Sequence, residues 1–222
     1  MVDRVTARLA ELFEADRDAD RAVAMRAYMR DQFPYFGIMA PRQRVLAREA
    51  TAGLPAPTEA DLHAVAAACW ARDEREFQYF ACGYLRRHVK TLTPASLPVL
   101  RGLVTAKSWW DTVDALASRV VGPLVAHHGL ASTMDEWVAD DDLWVARTAL
   151  LHQLTYKAAT DRERLFAYCV RQAGHPDFFI RKAIGWALRE YAKTDPDAVR
   201  AFVEANDDRL SGLSRREALK NL

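Results

Sequence analysis

Four side chains carry the chemical argument of this sequence: Trp110, Asp114, Arg147 and Trp186. The stretch KSWWDTVDALAS (107–118) places two of the chain's six tryptophans beside two aspartates at the start of a helical pattern. At 100° per residue, Trp109, Val113, Leu116 and Val120 fall on one apolar stripe, the core face. Trp110 and Asp114 are four apart and lie off that stripe, so a flat amphipathic ring and a carboxylate stand together where a ligand could meet them. Ser108 and Asp111 have the spacing of an N-terminal capping box, which gives Asp111 a sufficient structural role.

Two further helical patterns carry cations at informative positions. Leu143, Arg147, Leu150 and Leu154 follow an i, i+4, i+7, i+11 rhythm, so Arg147 interrupts an apolar stripe where an unpaired guanidinium is costly. Two readings follow, an internal salt bridge or a stripe that opens onto a groove receiving an anion. Lys182, Trp186, Arg189 and Lys193 share a narrow wedge of a later helix, with Ile180, Ile184, Leu188 and Tyr191 broadly opposite as core. A tryptophan inside a basic stripe suits nucleic acid, because cations neutralise phosphates while an indole face takes a sugar or base. A solvated charged face with one covering tryptophan is the plainer reading. Tyr28 (beside Arg21 and Gln32) and the Pro41 helix start with Arg42 and Arg44 point weakly the same way. Arginines there oppose the helix dipole unless an anion sits at the N-terminus.

Elements must position these residues, and helical periodicity dominates the chain while hairpin signals are nearly absent. Helices are expected near 3–15, 19–31, 41–51, 58–71, 74–89, 94–106, 109–127, 130–138, 142–158, 161–173, 177–192, 196–205 and 214–221. The punctuation between them includes PYFG, GLPAPT, TLTP, GHPD and KTDPD. WWDTVDAL (109–116), LWVARTAL (143–150) and FFIRKAIG (178–185) repeat one another. Asp114, Arg147 and Lys182 then stand in one column, at spacings of 33 and 35 residues. One helix pair per repeat, stacked as a solenoid, fits that period. The expectation is an all-α, superhelical solenoid of HEAT-like helix pairs with a concave basic groove, forming a single domain over 1–222.

Composition narrows the function class. The 222 residues hold 31 Lys and Arg against 30 Asp and Glu, so bulk charge does not announce a polyanion partner. The distribution is uneven: residues 71–110 hold seven basic and three acidic side chains, whereas 111–145 holds one basic and seven acidic. Cys69, Cys82 and Cys169 are widely spaced, without a CxxC pair or zinc-like histidine spacing, so reduced thiols and no metal or cofactor are expected. No apolar run is long enough for a membrane span, and the charged N-terminus lacks a signal-peptide pattern. A cytoplasmic protein is the resulting expectation.

KSWWDTVD, the RTAL of 147–150 and above all FFIRKAIGWALREYAKTDPD (178–197) resemble the bacterial DNA alkylation repair glycosylases of the AlkD type, which are built of HEAT-like repeats. The likeness extends from the YMR around Tyr28 through GIMAPRQR (37–44) and EREFQ (74–78) to LSRREALK (213–220). The resemblance implies hydrolysis of the N-glycosidic bond of N3- or N7-alkylated purines in duplex DNA, without deep base flipping. It implies Asp114 as the catalytic carboxylate, and Trp110 and Trp186 as the rings flanking the deoxyribose. Arg147 becomes a backbone contact and Tyr28 a residue facing the DNA. Arg44, Lys182, Arg189 and Lys193 complete the expected DNA-binding set. A monomeric, monofunctional enzyme leaving an abasic site is expected, since no lysine shares the Trp110–Asp114 face. The alternatives are a non-catalytic HEAT-like adaptor for a protein partner and a DNA-binding relative without chemistry.

Overall fold

The computed structural model describes residues 1–222 and is helical throughout, with no strand. The chain forms two compact units, Met1–Val99 and Leu100–Leu222.

The first unit holds α1 (Val2–Ala15), α2 (Ala19–Tyr28), α3 (Ala40–Thr51), α4 (Glu59–Trp70) and α5 (Arg75–Arg87). Val5, Leu9 and Phe13 recur every four residues along α1 and are buried against α3 and α4. α4 starts at a complete capping box, Thr58 with Asp61. α2 ends three residues before the predicted 31, because Arg30 and Asp31 adopt left-handed backbone (φ 55° and 56°). Gln32 therefore lies beyond the helix and does not share the Tyr28 face. A fully buried carboxylate holds the loop that follows: Glu76 accepts from the backbone N–H groups of Phe36 (3.1 Å), Gly37 (2.9 Å) and Ile38 (3.2 Å). Gly37 has φ +92°, and a Cβ there would stand 2.1 Å from the Asp18 carbonyl oxygen, so only glycine closes this turn.

α6 (Leu97–Thr105) leads the chain into the second unit, which holds α7 (Trp110–Leu116), α8 (Gly122–His128), α9 (Ala131–Trp137), α10 (Leu143–Leu151), α11 (Arg162–Arg171), α12 (Phe178–Tyr191), α13 (Pro196–Ala205) and α14 (Gly212–Ala218). Aspartate caps start four of them, at Asp142, Asp161, Asp177 and Asp195. α7 runs into α8 through a π-turn over Ala117–Val121, where the Gly122 N–H reaches five residues back to the Ala117 carbonyl. Pro123 has no N–H to continue the ordinary ladder, which accounts for the extra residue. α10 stops at Leu151, short of the predicted 158. Packing follows sequence order: α10 lies against both α7 and α12, and α12 against α13 and α14. Neighbour-on-neighbour packing is the signature of stacked helical repeats.

Candidate active site

Trp109, not Ser108, is the residue that precedes α7, and its backbone is fully extended. The predicted capping box does not form. The Ser108 hydroxyl donates back to the Val104 carbonyl (2.7 Å), and Asp111 accepts from the neighbouring Thr112 N–H (2.9 Å). The extended start turns Trp109 into an aromatic cluster with Phe179 (ring centroids 4.9 Å, edge-on) and Trp144 (5.9 Å). Its indole N–H is buried there without a hydrogen-bond partner. Val113, Leu116 and Val120 lie in the core as their stripe requires, whereas Trp109, expected there too, is only half-buried. Trp110 and Asp114 are left half-buried on the other face.

Arg147 meets Asp114 directly. Its Nε donates to Asp114 Oδ1 at 2.7 Å and its Nη2 to Oδ2 at 2.8 Å, a bidentate pair between α7 and α10. Nη1 donates to the Phe179 carbonyl on α12, so one guanidinium ties three helices together. The Arg147 side chain is only 3 % exposed, against 13 % for Asp114. Of the two sequence readings the internal ion pair is therefore the one realised, and the expected contact of Arg147 with a DNA backbone is corrected: the guanidinium is committed inside the protein. Burial pushes the Asp114 carboxyl above the ordinary aspartate value, and the hydrogen bonds and charge of Arg147 pull against that rise. Each carboxylate oxygen keeps a second acceptor position.

The basic stripe of α12 is also less free than its sequence suggests. Lys182 Nζ lies 2.7 Å from Glu217 Oε1 and Arg189 Nη1 2.5 Å from Glu217 Oε2, so a carboxylate from α14 bridges both cations. Lys193, at the exposed end, pairs with Glu190 (2.7 Å). Lys182 lowers the Glu217 pKa, which keeps that carboxylate ionised. Trp186 stands half-buried on the same helix. α14 comes this close because Gly185 lacks a side chain: a Cβ there would sit 2.4 Å from Glu217 Cβ and 2.8 Å from the Ser214 carbonyl oxygen.

Glu217 was not anticipated, although the repeat contained it. LSRREALK (213–220) continues the register, placing Glu217 35 residues beyond Lys182. The column reads acid, base, base, acid, and adjacent repeats neutralise one another in pairs, Asp114 with Arg147 and Lys182 with Glu217. Tyr28 and Arg44 belong to the first unit. Both are exposed, Tyr28 at 72 %. Arg42, the other cation at the start of α3, donates to Asp16 (Nη2 to Oδ1, 2.8 Å), so a carboxylate of the protein supplies the anion expected there. No group of acidic, histidine and cysteine side chains has the arrangement of a metal site, and no helix is long and apolar enough to cross a membrane.

Stacked helices with no strand and a repeat-borne charge column define an α-solenoid. The chain belongs to the DNA alkylation repair enzyme family, whose model matches residues 9–222. A solved structure described as a predicted DNA alkylation repair enzyme from Enterococcus faecalis is 31 % identical, with a TM-score of 0.86 over 93 % of this chain and 97 % of its own. The Streptococcus mutans protein smu.31 shares the fold at 16 % identity, with a TM-score of 0.62 over 82 % of this chain and 96 % of its own. No protein with a curated description matches the sequence.

Proposed function

We propose that this protein is a monofunctional DNA glycosylase that hydrolyses the N-glycosidic bond of N3- or N7-alkylated purines in duplex DNA. The observation that carries the reading is Asp114: a partly exposed carboxylate, one helical turn from Trp110, locked in orientation by a bidentate arginine. Alkylation leaves the purine positively charged, so it departs without protonation. The C1′–N9 bond breaks with its electron pair going to the base, which becomes neutral, and positive charge develops on the sugar. A water oxygen then bonds C1′ and loses its proton to Asp114 or bulk solvent, leaving an abasic site.

Electrostatics sets the size of the effect. A carboxylate about 4 Å from the sugar cation, at an effective dielectric near 20, contributes roughly 4 kcal/mol, or on the order of three decades in rate. Arg147, on the far side of the carboxylate at about twice that distance, cancels roughly half. The net gain of the pair over a neutral site is then about 2 kcal/mol, so positioning the water and the sugar must supply the rest. In this reading Arg147 is a positioning residue. Trp110 and Trp186 hold the deoxyribose by their ring faces, and the exposed Tyr28 and Arg44 contact DNA, with Lys182, Arg189 and Lys193 adding the positive charge left after pairing. No lysine shares the Trp110–Asp114 face and the Lys182 amine is engaged by Glu217, which disfavours Schiff-base chemistry and strand nicking. The enzyme acts as a cytoplasmic monomer, since the proposed chemistry asks for no residue from a second copy of the chain.

A second reading, a DNA-binding solenoid without chemistry, draws on one fact: Asp114 and Glu217 both have ion-pair partners and so have structural work already. Incubation with duplex DNA containing 7-methylguanine separates the two. Wild type is expected to release the free base, and Asp114→Asn to bind the same DNA within a few-fold yet release almost none. Intact 7-methylguanine after incubation with folded wild type removes the catalytic reading.

A further inference from the structure

A cleft of about 480 Å³ opens between α3 and α5 of the first unit, remote in sequence from Asp114. Its rim carries Arg44, Arg48, Arg86 and Arg87, and no acidic side chain lines it. None of these four guanidinium groups has an ion-pair partner, whereas Arg17, Arg26 and Arg42 of the same unit are held by carboxylates. The floor is apolar and aromatic: Phe13, Phe80 and Tyr84 are buried, and the Phe80 and Tyr84 rings stack at 5.5 Å with 16° between planes.

Gly83 lines the cleft on α5. It lies inside α5 with ordinary helical backbone, where glycine is the poorest non-proline helix former. A Cβ there would meet no atom within 4 Å, so neither packing nor backbone geometry calls for glycine.

We propose that this cleft is a second nucleic-acid site that takes one unpaired nucleotide of a DNA strand, its phosphates on the arginine rim and its base against the aromatic floor. The volume lies in the range of small-ligand pockets. Paired bases inside a duplex cannot reach such a floor, so the aromatic base of the cleft selects an unstacked nucleotide over duplex backbone. A free nucleotide has the same chemistry. Arg44 is shared with the duplex contact proposed above, whereas Arg48, Arg86, Arg87 and the aromatic floor belong to the cleft alone, and the assignment does not depend on Asp114 or on base release.

The test measures binding of three labelled probes to the full chain: a blunt duplex, the same duplex with a ten-nucleotide single-stranded tail, and free dAMP. Wild type is expected to bind the tailed duplex about tenfold more tightly than the blunt one. Gly83→Met, which fills the cleft with a better helix former, should abolish that preference and leave blunt-duplex affinity within twofold. Arg48→Ala with Arg86→Ala should do the same with the floor intact, guarding against a fold defect in the first variant. Equal wild-type affinity for tailed and blunt duplex overturns the proposal, as does a preference that survives both variants. dAMP binding as tight as the tail overturns the strand assignment, and equal displacement of the tail by poly-glutamate overturns the nucleotide one. Release of 7-methylguanine from the blunt duplex, followed in parallel, reports separately on the glycosylase reading.

Discussion

In the second unit the charged column is internally neutral: Asp114 is clasped by Arg147, and Glu217 bridges Lys182 and Arg189. In the first unit four arginines face a cleft with no carboxylate among them. The same residue types thus do opposite work. A buried guanidinium must bring its own anion or destabilise the fold, so Arg147 orients a carboxylate and joins three helices. A guanidinium at an open rim is solvated at little cost and can wait for an anion from elsewhere. Counting cations along the sequence cannot separate the two, because burial decides which kind each becomes.

The largest expected effect breaks the paired region. Asp114→Asn should slow 7-methylguanine release by about a thousandfold while Arg147 stays charged behind it. A loss below tenfold in a folded variant would return Asp114 to a purely structural role.

Next comes acid stability, which should single out the second unit. His152 is buried with Nδ1 2.6 Å from the Ala149 carbonyl, and burial pushes its pKa down to about 4. The folded state therefore binds this proton less readily than the unfolded chain. Its contribution is full above pH 6.5 and is lost as pH falls, reaching about 3 kcal/mol by pH 4. Urea unfolding between pH 7 and pH 4 should show the decline, and His152→Gln should flatten it. An unchanged slope in that variant would move the acid sensitivity elsewhere.

A smaller effect tests whether Arg147 opposes the chemistry it positions. Adding Arg147→Met to Asp114→Asn removes an uncompensated positive charge, so the double variant should release base about thirtyfold faster than Asp114→Asn alone. If the double variant is no faster, the guanidinium does not act through its charge. The smallest effect concerns α12. Glu217→Gln frees Lys182 and Arg189, and DNA affinity should rise a few-fold at low salt with a steeper salt dependence. An unaltered slope would place those cations away from the DNA.

Helix after helix was legible in the sequence because its determinants are local. Asp142, Asp161, Asp177 and Asp195 cap the helices that their positions announce, and the apolar stripe of Val113, Leu116 and Val120 faces inward as its spacing requires. The 33- and 35-residue spacings correctly set Asp114 and Arg147 on neighbouring helices. Where expectation failed, a longer-range contact or an unusual backbone intervened. Ser108 turned back to Val104, and left-handed residues at 30 and 31 cut α2 short.

Periodicity gives the face on which a side chain stands, and so the sequence alone determined the helical class, the repeat and the residues worth suspecting. It cannot give the partner across the interface, because pairing depends on distances between elements far apart in the chain. Only the tertiary structure decided that Arg147 closes on Asp114 rather than on a ligand and that Glu217 reaches Lys182 past Gly185. The unpartnered state of Arg44, Arg48, Arg86 and Arg87 was settled at the same level. A charge in a low-dielectric interior is defined by what lies within a few ångströms of it, and folding alone fixes that neighbourhood.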